Sequence, residues 1–542
     1  MTVSSQNQVN GSESRRPVQK LRFVKSLPAQ VLNHCTVCLE EQLFDQAIAL
    51  LSSGLTSGTC TSRPAYVPAR SHLAVVATLA VHPQLTTRTS DPAKPIAATD
   101  ALRYLRHVSR LVSPRAAGLD QAFQFNTDRG DVHRNKRAKT RRSENCGEIL
   151  PLHEDDYIRS DYAGQDSIWK SAADFWSVVG WSFNCSVKHK HRWQRWKEWL
   201  EMMLDVLEKD FDEHASEGTA ANSMIAVFLR PIGEGRNNKR RLMRALLANG
   251  STKALAEFHE IWRNETKLPK VVDAKQNVAK KRKLDLDNDE FGDYFDESDQ
   301  ENPESLSRRS RSATAFSSRK ISRQPSADEN NDSDDESAAS AANATDYRGL
   351  EAFGGMDSIA LRQRLLRLLL ELCSRAPSLL LDIEDFLDLC TEFIRPLKLA
   401  IFQQLVTPSK AFMDADPKSS LNQMLLRPLL SSQAPVYDAN AMTQTDFETC
   451  YAPFTANTTS VADNAKVSLL VEDLMKLLWK TSSLAVTPTL RRVVTEGIGA
   501  RNAKAEMDRR RKTGLKALED EDAMMVLVAS GVRMSSLLAC LS

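Results

Sequence analysis

Between residues 358 and 405 the chain reads SIALRQRLLRLLLELCSRAPSLLLDIEDFLDLCTEFIRPLKLAIFQQL, with apolar residues crowded at spacings of three and four and breaks only near Pro377 and Pro396. That spacing lines one face of an α-helix, whereas a half-buried strand would alternate at every second residue. Each proline removes a backbone donor and divides the run into successive helices joined by short turns. Every stripe then needs another element to cover it, so helix must pack on helix.

The pattern recurs along the chain. Residues 29 to 52 carry Val31, Cys35, Leu39, Leu43, Ala47 and Leu51 near a spacing of four and end in Ser-Ser-Gly, the chemistry of a helix stop. Stripes over 71 to 82 and 98 to 112 end at Pro83 and Pro114. A second block opens near Ser167, passes through a tryptophan-rich helix, and adds helices at about 221 to 230, 239 to 249 and 252 to 264. The third begins at Asp357, read as an N-cap, and ends in helices over 461 to 480, 488 to 512 and 520 to 541, with 408 to 458 expected to be largely irregular. The expected fold class is all-α, with helical hairpins forming bundles or an irregular α-solenoid, interrupted by long disordered segments. No fixed-period repeat is visible.

Composition divides the chain further. The expected organisation is a disordered leader at 1–28, an N-terminal helical block at 29–114 and a basic linker at 115–165. A Trp-rich helical block at 166–268, a disordered basic, acidic and Ser-rich linker at 269–350, and a C-terminal helical block at 351–542 follow. The 72 Lys and Arg nearly balance the 70 Asp and Glu, so net charge alone draws the chain to no polyanion. Nine scattered cysteines form no dense disulfide framework and read as reduced thiols. No stretch is read as long and apolar enough to cross a bilayer, and no membrane partner is expected.

Residues 188 to 200, KHKHRWQRWKEWL, mix cations and indoles as single-strand nucleic-acid surfaces do. On a helical wheel, however, Trp193, Trp196, Trp199, Leu200, Met203, Leu204, Val206 and Leu207 share one arc, and Gln194, Glu198, Glu201, Asp205 and Glu208 share the other. The tryptophans are therefore expected in a core, the acidic arc in solvent, and Lys188, Lys190 and Arg192 ahead of the helix, since cations in a first turn oppose the macrodipole.

Local motifs for chemistry are few. Cys35-x-x-Cys38 beside His34 lacks the second ligand pair of a structural zinc site, and Cys185, His189 and His191 lack a fourth donor, so no metal or cofactor is expected. No phosphate-binding Gly loop, serine elbow, HExxH or kinase set is present, and GEGRNNKRR at 233–241 reads as a loop entering a basic helix. Asp382, Glu384 and Asp385 read as carboxylates at a helix start, and His259 as a histidine without a catalytic partner.

Two basic runs are of the kind that a nuclear-import receptor or a phosphate backbone contacts, and having both in one chain favours nuclear targeting: Arg134, Lys136, Arg137, Lys139, Arg141 and Arg142, and Lys280, Lys281, Arg282 and Lys283. After the second comes LDLDNDEFGDYFDESDQE, whose Phe291, Tyr294 and Phe295 among acids suit folding onto a partner with a basic-rimmed groove. Ser322, Ser326 and Ser333 lie beside charges that make them candidate phosphorylation sites. The expected function is a non-enzymatic nuclear scaffold or adaptor whose partners are other nuclear proteins. The alternatives are a nucleic-acid-binding protein using the basic runs and an enzyme with a non-local active site.

Overall fold

The apolar stripe from 29 to 52 does not make one helix. Gln42 takes a left-handed φ of 59° and splits it into α1 (Ala29–Glu40) and α2 (Phe44–Thr56), an antiparallel hairpin. The spacing runs on across the turn because Cys35, Cys38 and Leu39 of one helix and Ala47, Ile48 and Leu51 of the other are buried in the same core. The computed structural model describes residues 21–59, 63–125, 158–233, 235–267, 349–408, 412–436, 442–509 and 515–541. Among these the protein is all-α, and the only strands are β1 (Val24–Ser26) and β2 (Ala65–Val67), paired in parallel with Val24 opposite Ala65. The remainder of the expected leader and linkers lies outside the described residues.

Helices α3 (Arg70–Leu79), α4 (Pro83–Thr86) and α5 (Ala93–Leu111) complete the first block. Order continues past Pro114, where a linker was expected: α6 (Leu119–Ala122) packs on α3, and Ile158 and Tyr162 are buried before α7 (Ile168–Ser171). Helix α8 (Phe175–Lys188) is capped by Asp174, whose Oδ1 accepts the Ser177 N–H at 2.7 Å, and it folds back on α9 (Lys190–Ser216). Next come α10 (Met224–Leu229), α11 (Arg236–Leu246) and α12 (Thr252–Glu257). The last ends early, so His259 is off the helix.

After the second long undescribed segment, α13 (Gly355–Arg375) starts two residues before the expected cap, with Asp357 in its first turn. It is followed by α14 (Ile383–Ile394), α15 (Leu399–Val406) and α16 (Ala415–Leu426). The stretch from 408 to 458 is thus less irregular than expected, since α16 and a π-helical turn at Phe447–Tyr451 occupy much of it. Helices α17 (Val461–Lys480), α18 (Pro488–Arg509) and α19 (Leu515–Cys540) close the chain, with α17 packed against α15, α16, α18 and α19. The described residues on either side of 268–348 belong to one compact unit, and one apolar core runs through it from Leu27 to Leu538. At the crossing of α18 with the π-helical turn a side chain at Gly497 would put its Cβ 1.9 Å from the Ala452 carbonyl oxygen.

The tryptophans of α9 are core residues, and the indole N–H groups of Trp196 and Trp199 are matched. Trp199 donates to the Ala77 carbonyl at 3.0 Å, and Trp196 donates to Glu265 at 2.7 Å. Arg192, expected ahead of the helix, is instead inside it and fully buried with Glu265. Its Nε and Nη2 donate to Glu265 Oε1 at 2.8 and 2.6 Å, Nη1 donates to Thr86 at 2.8 Å, and Nη2 also reaches the Val81 carbonyl at 2.9 Å. The dipole penalty of a cation in a first turn is small beside a charge-assisted network of this kind.

A second buried cation joins the later block. Arg362 of α13 donates to the carbonyls of Leu246, Ala248 and Phe353 and to Ser358, and its guanidinium lies 4.1 Å from the ring centres of both Phe183 and Phe353. The carbonyl-rich C-terminal end of α11 and two aromatic faces take the place of a carboxylate.

Removing one member of the Arg192–Glu265 pair leaves the other charge buried. Glu265→Gln or Arg192→Met is expected to lower unfolding free energy by about 3 to 5 kcal/mol in urea titrations. The double variant is expected to lose clearly less than the sum, a coupling that an exposed pair would not show.

Candidate functional site

None of the sequence-predicted contact residues falls in the described unit. Arg134 to Arg142 lie in 126–157, and Lys280 to Lys283, Phe291, Tyr294, Phe295, Ser322, Ser326 and Ser333 lie in 268–348, all outside the described residues. What the folded unit's own surface offers a partner is set by how its charges are paired.

Its arginines are largely occupied. The acidic arc of α9, expected to face solvent, meets α13 along its length: Arg364 reaches Asp205 at 2.5 Å and Glu208 at 2.6 Å, and Arg367 reaches Glu208 at 3.0 Å. Lys197 pairs in the reverse sense with Asp357 at 2.6 Å, while Arg106 of α5 takes Glu201 at 3.1 Å. The wheel separates the two arcs correctly, but α13 supplies complementary charges that its sequence presents at 364 and 367.

The basic run that opens α11 meets the same fate. Arg236 pairs with Asp388 at 2.6 Å, Arg240 pairs with Glu392, Arg241 with Asp174 at 2.8 Å and Arg244 with Glu257 at 2.7 Å. Arg236 and Arg240, four apart, face Asp388 and Glu392, four apart on α14, so two helical faces are zipped. These contacts make α11 a brace between α8, α12 and α14. Asp382 precedes α14, with Glu384 and Asp385 in its first turn, where carboxylates suit the positive end of the macrodipole.

The candidate thiols are buried, and those with a resolved shift are moved away from reactivity. Burial, then the neighbouring Cys38, pushes the Cys35 thiol up to about 11, and Cys35 and Cys38 are buried free cysteines in α1. Burial pushes the Cys185 thiol well above its ordinary range, while His189 is only half-buried and its proton affinity is lowered by burial and by His191. Among the described residues no cluster of three or more His, Cys, Asp or Glu side chains is placed to hold a metal ion.

One feature of the surface was missed in the sequence. The 18 residues 523–540 of α19 have a mean hydropathy of 1.7, and the helix is long and apolar enough to cross a membrane by length and composition, yet only 33% of that window is buried. This overturns the reading that no stretch approaches that length. The signal was in the chain, since from Ala523 to Ser542 Arg533 is the single charged residue. Compared with protein-family models and with curated protein sequences, the chain matches none.

A titratable histidine lies beside the Arg192 network. His82 is buried, its ring centre is 4.9 Å from those of Tyr162 and Trp262, and it accepts the Gln84 N–H as the cap of α4. Burial, with Arg192 and Arg88 adding to it, lowers its pKa to about 3. The unfolded chain therefore takes up a proton near pH 6.5 that the fold refuses, so this stability is complete above that pH and is lost as pH falls towards 3. Asp210, raised to about 6 mainly by burial, acts in the opposite sense, contributing at low pH and losing its contribution as pH rises through 6. His82→Asn keeps a capping acceptor and removes the titration, so the drop in unfolding free energy from pH 7 to pH 5 should shrink by about 2 kcal/mol. An unchanged difference between the two pH values would assign the acid sensitivity elsewhere.

Proposed function

We propose that the protein is a non-enzymatic nuclear scaffold or adaptor, in which the helical unit is the platform and the segments 126–157 and 268–348 carry the contacts. What supports this reading above all is the disposition of positive charge. The basic helix α11 and Arg364 and Arg367 of α13 are engaged by carboxylates of the same chain, which supports the concentrated runs at 134–142 and 280–283 as the basic chemistry for an outside polyanion or an import receptor. The acidic and aromatic stretch 284–301, with Phe291, Tyr294 and Phe295, docks a protein partner by coupled folding. Phosphate on Ser322, Ser326 or Ser333 adds up to about two negative charges per site downstream of the second basic run, and so weakens the pull of that run on acidic surfaces.

The same basic runs support a second reading, contact with nucleic acid, and the two separate experimentally. Replacing Lys280, Lys281, Arg282 and Lys283 by alanine, alone and together with Arg134 to Arg142, is expected to move a fluorescently tagged protein out of the nucleus while its thermal unfolding stays unchanged. If the runs serve nucleic acid instead, nuclear residence persists, and the purified chain binds duplex DNA with a logarithmic salt slope of about 0.9 per phosphate contacted. Normal nuclear entry with no salt-dependent binding would count against both readings.

A further inference from the structure

Helices α18 and α19 both pack on α17, and their outward sides differ in kind. Helix α18 turns Arg491, Arg492, Thr495 and Glu496 to solvent, as an edge helix does. Helix α19 keeps Leu527, Met534 and Leu538 in the fold and turns out Met525, Val528, Val532, Ser535 and Ala539. Met525, Val528 and Val532 are 46%, 45% and 59% exposed. These five positions alternate spacings of three and four, the a and d pattern of a helix seam that has lost its partner.

Charge frames the seam. Glu519, Asp520, Glu521 and Asp522 lie at its N-terminal end, with Glu521 exposed. Further along, Arg533 is 42% exposed while its Nε and Nη2 donate to the buried Glu472 at 2.7 and 2.8 Å, which fixes the guanidinium beside the seam. A bilayer is a poor occupant for such a face, because a cation is pinned along its length and an acidic cluster stands at one end.

We propose that the seam is a self-association surface, on which a second copy of the chain lays its own α19 in the antiparallel sense. A two-fold axis between Val528 and Ala529 sets Met525 opposite Val532 of the second copy and brings Arg533 to within about one turn of that copy's Glu521, twice over by symmetry. Parallel pairing would instead place the acidic cluster against its own duplicate. The pairing is therefore charge-complementary in one direction and repulsive in the other. The seam is short, which places it among interfaces below about 1,200 Å² and predicts a concentration-dependent equilibrium between monomer and dimer.

Sedimentation velocity of the full chain between about 1 and 100 µM tests it, with dimer growing in at the upper end. Val528→Glu, at a half-exposed position, is expected to weaken association by at least about tenfold while circular dichroism and thermal unfolding stay as in the parent chain. Glu521→Arg should weaken it less, with an effect that fades at high salt. In a Cys540→Ser background, which removes an exposed thiol, Ala529→Cys should cross-link two copies on mild oxidation. A monomer at every concentration overturns the proposal, as does a dimer indifferent to Val528→Glu. Failure of the cross-link in a Val528→Glu-sensitive dimer overturns the antiparallel arrangement. Flotation of a monomeric chain with phosphatidylcholine vesicles, abolished by Val528→Glu, would assign the face to a membrane and likewise overturn the proposal.

Discussion

Arg192 and Glu265 lie 73 residues apart, and neither exposes any side-chain surface to water. Charges taken out of water at this depth persist only if every polar atom around them is arranged beforehand. Here the arrangement draws on the end of the first helical block through Val81 and Thr86, on the tryptophan helix through Trp196, and on the turn at 261–265 through the Ile261 N–H. Three stretches of chain must reach native positions together for the pair to be satisfied. That condition ties the first block to the second more strictly than apolar packing alone, which tolerates rearrangement so long as volume is conserved.

The later block is fastened by a different device. Arg362 finds no carboxylate, only carbonyl oxygens, the Ser358 hydroxyl and two phenylalanine faces, whereas Arg364 and Arg367, two and five residues on along the same helix, meet the acids of α9 nearer the protein surface. The buried contact sets register because its acceptors are fixed backbone atoms, and the surface contacts add modest, salt-sensitive energy. Arginine suits both tasks, since its planar fork offers several donors at once and its charge is weakly hydrated.

Much of the helical framework is legible in the sequence because an apolar stripe is a local property. The expected bounds of 461 to 480 match α17, and the wheel of α9 sorts its buried tryptophans from its acids. What the stripe does not encode is what lies across from it. The hairpin at Gln42 carries no glycine or proline, so the spacing reads straight through the turn. Arg192 looks like one more cation in a basic run because its partner is distant in sequence. The acidic arc of α9 was expected in solvent because a wheel shows one helix and not the neighbour that covers it. Likewise, the apolar length of α19 is visible in its sequence, but its outward exposure is a property of three packed helices.

The pairing of α13 with α9 has a topological consequence. The contacts that hold them, from Lys197 with Asp357 to Arg364 with Glu208, join residues before 267 to residues after 349, and the chain between 268 and 348 contributes to none of them. The unit is therefore divisible: a piece ending near 267 and a piece beginning near 349 carry the two complementary halves of an interface. Two separate chains with these ends would meet as a noncovalent heterodimer. Its two halves would then be held only by noncovalent contacts such as the ion pairs between α9 and α13.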